Sequence, residues 1–280
     1  MDYNISSEKL EHPLLKKLLD ELIPLFQKLK IKFFVIRATA RDIIMELHGE
    51  KAGRRTQDID IAIAVNKWEE FETIEKEIVQ LSDFKKDPKQ QQRFLYLNDF
   101  QLDIVPYGGI TTTEDKIFWP PDQSFAMTVL GFEEAEKDLV RVKIDDTLEI
   151  DIVSLAGIFI LKLAAWKDRH IQENKDADDM GFILLNYLNI YEERAAMEHY
   201  NEVYEIKDFT TTKAGAVLLG IDLSKLLIDN QTARKRLKTI IKTEIDAAEN
   251  SILFNQIIET NHIKFDDVQH CFQILNEKLK

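Results

Sequence analysis

Cysteine is almost absent from this chain, since Cys271 is the only one among its 280 residues. A single thiol can form neither an internal disulfide nor a cysteine-based metal site, so a reducing compartment is predicted. Long apolar runs are also missing. The most apolar stretch, residues 154–166, is shorter than the ~20 residues that a membrane span requires, and it contains Lys162. The first ten residues lack the apolar core of a signal peptide. We therefore predict a cytoplasmic protein with no membrane association.

Positive charge is scarce as well, because the 37 Lys and Arg residues are outnumbered by 50 Asp and Glu residues, which gives a net charge of -13. This balance argues against a general nucleic-acid coat protein, which needs a positive surface toward the phosphates. With 45% hydrophobic residues, the chain is too hydrophobic to be disordered and can bury one large core or two moderate ones, and we expect two lobes.

Hydrophobic periodicity divides the chain into two parts. Strand-like patterns and a leading amphipathic helix between Ser7 and Lys30 fill the first part, and the helical period prevails from Ser154 onward. One long helix is expected over roughly 224–256. These patterns predict an α+β fold with an α/β domain over 1–152, including the leading helix, and a helical domain over 153–280.

Two aspartates interrupt an apolar strand predicted over residues 58–65. Strict alternation places Asp58 and Asp60 on the same face, roughly 6.6 Å apart, a distance that divalent ions can bridge. An Asp-x-Asp pair by itself is more typical of a solvated strand edge. Aspartate is depleted in strands, however, and a hydrated Mg²⁺ would offset the cost of placing two of them here.

A third aspartate, Asp103, lies in the second arm of a predicted hairpin whose turn is formed by Asn98 and Asp99. Three carboxylates on neighbouring strands form the oxygen-rich ligand set that two-metal phosphoryl transfer requires. The alternative is a lone acid paired with a lysine or arginine from a loop. We predict that Asp58, Asp60 and Asp103 bind Mg²⁺ or Mn²⁺.

Several separated motifs resemble a known superfamily. Residues 35–42, with the sequence VIRATARD, and residues 55–60, with the sequence RTQDID, resemble the signature of polymerase-β-like nucleotidyltransferases, in which a small-residue turn opens a helix and a paired-Asp strand follows. Residues 166–169 and 175–179 resemble the AbiEii-type toxin branch and its bacterial relatives. The resemblance covers roughly residues 31–187, and its motifs occur in the family order.

The resemblance implies a nucleotidyltransferase-type mixed sheet with flanking helices and a helical C-terminal lobe. It also implies transfer of a nucleoside monophosphate from a nucleoside triphosphate (NTP) to a hydroxyl group, with Mg²⁺ held by the three acids and Asp103 as candidate base. In the AbiEii branch a helical lysine and a following aspartate complete the site, and Lys162 with Asp176 or Asp179 matches them. The residues expected to bind the nucleotide are Arg37, Ala38, Thr39, Arg55, Thr56, Lys162, Arg169, Asp176 and Asp179.

One position departs from the family pattern. The family turn carries a glycine before a small residue, which lets backbone N–H groups approach phosphate, whereas this chain has Arg37 before Ala38. Three interpretations therefore remain open. The first is an active transferase acting on RNA, such as tRNA, or on a protein, as a toxin with an antitoxin partner. The second is a degenerate member that binds nucleotide or a partner without transfer. The third is an unrelated α/β hydrolase or glycosyl-transfer enzyme that uses Asp58 and Asp60 for metal.

Overall fold

The computed structural model describes residues 3–10, 12–53 and 58–280, and the chain divides into two compact units, Met1–Ser154 and Leu155–Lys280. The strands of the first unit are β1 Tyr3–Ile5, β2 Phe33–Ile36, β3 Asp58–Val65, β4 Phe84–Lys86, β5 Arg93–Tyr96, β6 Phe100–Gly108, β7 Lys116–Phe118, β8 Ala126–Thr128, β9 Leu139–Ile144 and β10 Leu148–Val153. Its helices are α1 Leu15–Leu29, α2 Arg37–Leu47, α3 Trp68–Ile78 and α4 Phe132–Ala135.

A mixed sheet organises the first unit. Its strand order among the described residues is β1-β9-β10-β2-β3-β6-β5-β4, and β7 pairs with β8 separately. Strand β3 pairs antiparallel with β2 and parallel with β6, so it lies near the middle of the sheet. This central place explains why both faces of β3 are apolar apart from its two aspartates, because a strand covered on both sides must bury both sets of side chains.

The leading helix is shorter than its hydrophobic pattern predicts. Helix α1 begins at Leu15, and the segment Ser7–Lys9 forms a single 3₁₀ turn instead. Pro13 accounts for the difference, since a proline disfavours helical backbone at the residue before it and is best tolerated in the first turn of a helix. The buried face of α1 includes Leu18, Leu22 and Phe26, which are almost fully buried.

The second unit is helical throughout the described residues. It contains α5 Leu155–Arg169, α6 Lys175–Ile190, α7 Glu192–Glu198, α8 Tyr200–Tyr204, α9 Thr211–Leu226, α10 Gln231–Ala247, α11 Ile252–Asn261 and α12 Phe265–Lys278. Helix α9 packs against α6 and α12. No helix in the described part of the chain combines the length and apolarity that crossing a membrane demands.

The single helix expected over roughly 224–256 is wrong. That range holds the end of α9, the whole of α10, a 3₁₀ turn and the start of α11, which is capped by Ser251 accepting from the Phe254 N–H. Helix α9 itself gives little periodic signal, because the run 214–220 is buried on every side of the helix. A helix enclosed by its neighbours cannot be recognised by an amphipathic stripe.

Candidate functional site

Strand pairing brings the three predicted aspartates together. Asp60 on β3 lies opposite Asp103 on the parallel strand β6, and Asp58 is two residues away on the same face of β3. One carboxylate oxygen from each of the three residues lies within 4.8 Å of the others. Asp60 and Asp103 are buried, whereas Asp58 is half-buried, so the cluster opens toward solvent on the Asp58 side.

Arg37 lies against this cluster. The β2–β3 register sets Ile36 opposite Asp60, so the next residue along the chain meets the Asp60 carboxylate, with which the Arg37 guanidinium forms an ion pair. Arg37 opens helix α2 with a φ of +60°, in the left-handed region that favours glycine. The arginine thus adopts the backbone conformation expected of the family glycine while placing a positive charge beside the acids.

Arg93 is a site residue that sequence reasoning missed. It lies opposite Asp103 in the β5–β6 ladder, and its Nε and Nη2 donate to the two Asp103 oxygens at 2.7 and 3.0 Å. Its Nη2 is also 3.8 Å from an Asp58 oxygen. The hydrogen bond to Asp103 is the main cause that raises the pKa of Arg93 above its usual value.

The start of helix α2 supports the acid-bearing strand. Ala38 and Thr39 are buried, and the Thr39 hydroxyl donates to the backbone carbonyl of Asp58 at 3.4 Å. These small residues allow the helix to begin directly behind the carboxylates. Arg55 and Thr56, which the sequence predicts to contact nucleotide, lie outside the described residues.

A buried arginine packs against the backbone of Gly53. The Arg41 side chain is 1% exposed and pairs with Asp42, its Nε donating at 2.8 Å. A Cβ built on Gly53 would lie 2.6 Å from the Arg41 guanidinium carbon, so the guanidinium packs directly on the Gly53 backbone. A side chain at position 53 would require the guanidinium to move, so glycine permits this close approach.

The remaining predicted residues form a second charged cluster, within the helical unit. The Lys162 amine of α5 lies 3.2 Å from Asp176 and 2.5 Å from Asp179, both on α6. Arg169 adds a two-point contact to Asp176, at 2.7 and 2.8 Å. The lysine and both aspartates are buried. Four residues that lie up to 17 positions apart therefore form one compact ionic network.

This network controls the ionisation of Asp176. Burial by itself would raise the pKa of the carboxyl group, but the charges and hydrogen bonds of Lys162 and Arg169 outweigh it and hold the pKa at about 2. Asp176 is consequently a carboxylate at any physiological pH.

The triad has the donor chemistry of a divalent metal site. Carboxylate oxygens are the ligands that Mg²⁺ and Mn²⁺ prefer, and three of them within 4.8 Å of one another can surround one small ion. The guanidinium groups of Arg37 and Arg93 form ion pairs with two of these carboxylates, so the cluster attracts positive charge. The residues present therefore fit the predicted metal.

A mixed sheet that gathers three aspartates from β3 and β6, followed along the chain by a helical unit, defines an α+β protein with a carboxylate cluster. Within that class, the family model described as "Nucleotidyl transferase AbiEii toxin, Type IV TA system" matches residues 44–262. The chain belongs to this family and is a nucleotidyltransferase. The matched range contains the three acids and the ionic network of the helical unit, and it begins after the Arg37 turn.

Two solved structures resemble the chain weakly. An antigenic nucleotidyltransferase-like protein from Paracoccidioides brasiliensis aligns with a TM-score of 0.40 and 14% identity, covering 84% of this chain and 94% of that one. The CdnE cyclic dinucleotide synthase of Elizabethkingia meningoseptica, solved with GTP and Apcpp, aligns with a TM-score of 0.29 and 11% identity, covering 98% and 93%. No curated protein matches its sequence significantly.

Proposed function

We propose that this protein transfers a nucleoside monophosphate from an NTP to a hydroxyl group on RNA, such as tRNA, or on a protein, with Mg²⁺ or Mn²⁺ bound by the three aspartates. The observation that carries the proposal is the clustering of Asp58, Asp60 and Asp103 oxygens within 4.8 Å. Family membership supports the reaction class, and the family description supports a toxin that acts with an antitoxin partner.

The reaction forms a bond between the acceptor oxygen and the α-phosphorus, and it breaks the bond between the α- and β-phosphates so that pyrophosphate leaves. A divalent ion in the triad would supply charge stabilisation to the triphosphate and acidify the acceptor hydroxyl. Asp58 and Asp60 hold the ligand geometry, because both extend from one strand that is paired on either side. Asp103 is the proposed acceptor of the hydroxyl proton.

Arg37 is the proposed phosphate ligand at the opening of helix α2. Its planar guanidinium can make two parallel hydrogen bonds to a phosphate, in place of the single ion pair it makes with Asp60. Arg55 and Thr56 keep their proposed place in the same nucleotide site. The proposed nucleotide-binding role of Lys162, Arg169, Asp176 and Asp179 rests on the family resemblance.

Label transfer tests the proposal directly. The protein is incubated with Mg²⁺ or Mn²⁺, with each α-³²P-labelled NTP in turn, and with either total RNA or a protein extract. Label that enters one fraction with the wild type, and not with an Asp58→Ala variant, identifies both donor and acceptor class. Absence of label in every combination contradicts the proposal.

A second candidate is a family member that binds nucleotide without transferring it. The observation that favours it is the Arg37–Asp60 ion pair, which places a fixed cation where the family turn has no side chain. Binding of an α,β-methylene NTP analogue by a protein that labels neither RNA nor protein would select this alternative.

A further inference from the structure

Two arginines of the first unit make the same cross-strand contact in different surroundings. Arg93 faces Asp103 across β5–β6, and Arg141 faces Asp151 across β9–β10. The two-point contacts are nearly identical, at 2.7 and 3.0 Å for the first pair and 2.8 and 2.9 Å for the second. The Arg141 side chain is 67% exposed, whereas Arg93 is 20% exposed and lies 3.8 Å from Asp58. The same pair therefore occurs once at the surface and once against the clustered acids.

The Arg93 guanidinium places its positive charge beside the carboxylates that are proposed to bind the metal ion. It donates to both oxygens of Asp103 while its Nη2 faces Asp58, so its charge lies between two of the three proposed ligands. A divalent ion is attracted by the same carboxylates and repelled by the guanidinium. In the buried part of the site this repulsion is weakly screened. A metal ion and Arg93 therefore compete for Asp103.

We propose that Arg93 is a positioning residue: it serves as the internal counterion of Asp103 in the metal-free protein and yields that carboxylate to a divalent ion, so that it sets the metal affinity of the site. The inference rests on the proposed metal-dependent function, but it concerns metal binding alone and is measured without transfer. It also explains how three acids can be packed together before metal arrives, because Arg93 and Arg37 neutralise two of the three charges.

The test is a Mn²⁺ titration of the full chain without nucleotide, in which free Mn²⁺ is followed by its EPR signal. Arg93→Gln removes the competing charge and is expected to tighten Mn²⁺ binding by about tenfold. Arg141→Gln breaks the matched pair at the surface and is expected to leave Mn²⁺ binding unchanged. Adding Asp103→Asn to Arg93→Gln is expected to abolish the gain, which locates the bound ion at this site.

A purely structural role predicts the opposite direction. If Arg93 only orients Asp103, its loss disorders a ligand, and Mn²⁺ binding weakens or stays the same. Arg93→Lys covers the case in which the glutamine variant does not fold, because lysine keeps the positive charge and loses the two-point contact. Its Mn²⁺ affinity is expected to rise by a smaller factor, roughly threefold. Thermal melts of each variant establish that the protein titrated is folded.

Unchanged or weakened Mn²⁺ binding in the folded Arg93 variants overturns this inference. Failure of the proposed function is distinguishable from that result. If Arg93→Gln tightens Mn²⁺ binding while no variant or wild-type protein transfers label, the inference holds and the transfer proposal fails. If the wild type and both Arg93 variants bind no Mn²⁺, this inference is overturned, and label transfer alone decides the proposed function.

Discussion

Replacing Arg37 by glycine and by alanine separates the backbone role of this position from its charge. Both substitutions remove the ion pair with Asp60 equally, so the difference between them reports only on the backbone, whose φ is +60°. An L-residue pays ~1–2 kcal/mol in the left-handed region. Glycine avoids that cost. Its greater conformational freedom in the unfolded chain, however, lowers the free energy of unfolding by ~0.4–1 kcal/mol.

The net expectation is that Arg37→Gly unfolds at higher denaturant than Arg37→Ala, by about 1 kcal/mol in free energy of unfolding. For a unit of this size that difference corresponds to roughly 2–4 °C in melting temperature. Lys30 provides the calibration, because it has a φ of +57° at the end of α1 and lies away from the acids. The free energy of unfolding of Lys30→Gly should exceed that of Lys30→Ala by a similar amount. Equal stability of the two Arg37 variants, with a normal difference at Lys30, would refute the left-handed conformation at Arg37.

The Arg37→Gly variant also tests whether Arg37 binds the nucleotide. A charge-assisted contact to phosphate contributes ~1.5–3 kcal/mol, so Arg37→Gly is expected to weaken binding of an α,β-methylene NTP analogue by about tenfold or more. An arginine that merely occupies the phosphate position predicts that affinity rises. Isothermal titration calorimetry distinguishes the two signs, and an unchanged affinity would mean that Arg37 does not face the nucleotide.

Further predictions concern the ionic network of the helical unit. The folded pKa of Asp176, about 2, lies below its ordinary value of 3.8, so the folded state binds this proton less readily. Its contribution of ~2 kcal/mol is therefore complete above about pH 4 and is lost as the pH falls toward about 2. Denaturant unfolding between those pH values should show a smaller acid loss for Asp176→Asn than for the wild type, and equal losses would contradict the assignment. Lys162→Met should lower the free energy of unfolding by about 3–5 kcal/mol, because it leaves the buried carboxylates of Asp176 and Asp179 without the lysine charge. Lys175→Met removes an exposed ion pair and should lower it by under ~1 kcal/mol. Urea unfolding that ranks the two lysine variants alike would exclude this structural role.

The acid-bearing strand could be predicted from the sequence to the residue. Strand β3 spans Asp58–Val65, because alternation, β-branched residues and two isolated aspartates all point to the same element. The proximity of Asp103 to Asp60 followed from placing two apolar strands next to each other. The sequence could not give the distance between them, since parallel register depends on packing of the whole sheet.

The residue that faces Asp103 depends on the length of the hairpin loop. A two-residue turn at Asn98 and Asp99 would set Phe94 opposite Asp103, whereas the structure has a three-residue loop and sets Arg93 there. Shifting an antiparallel pair by one residue changes the face on which every side chain lies. The basic residue ten positions before Asp103 was visible in the sequence, but its partner could be identified only once the loop length was known.

The most direct test of the central claim is the rate of label transfer from an α-³²P-labelled NTP by the wild type, Asp60→Asn and Asp151→Asn. Asp60 belongs to the triad, whereas Asp151 makes an ordinary cross-strand pair with Arg141 in the same sheet. With Mg²⁺ or Mn²⁺ and the fraction that takes up label from the wild type, Asp60→Asn is expected to lower the rate by roughly a thousandfold or more while remaining folded, because the proposed metal loses a charged ligand. Asp151→Asn is expected to transfer label at the wild-type rate. Transfer by Asp60→Asn at the rate of the wild type would contradict the claim that the three aspartates form the catalytic metal site.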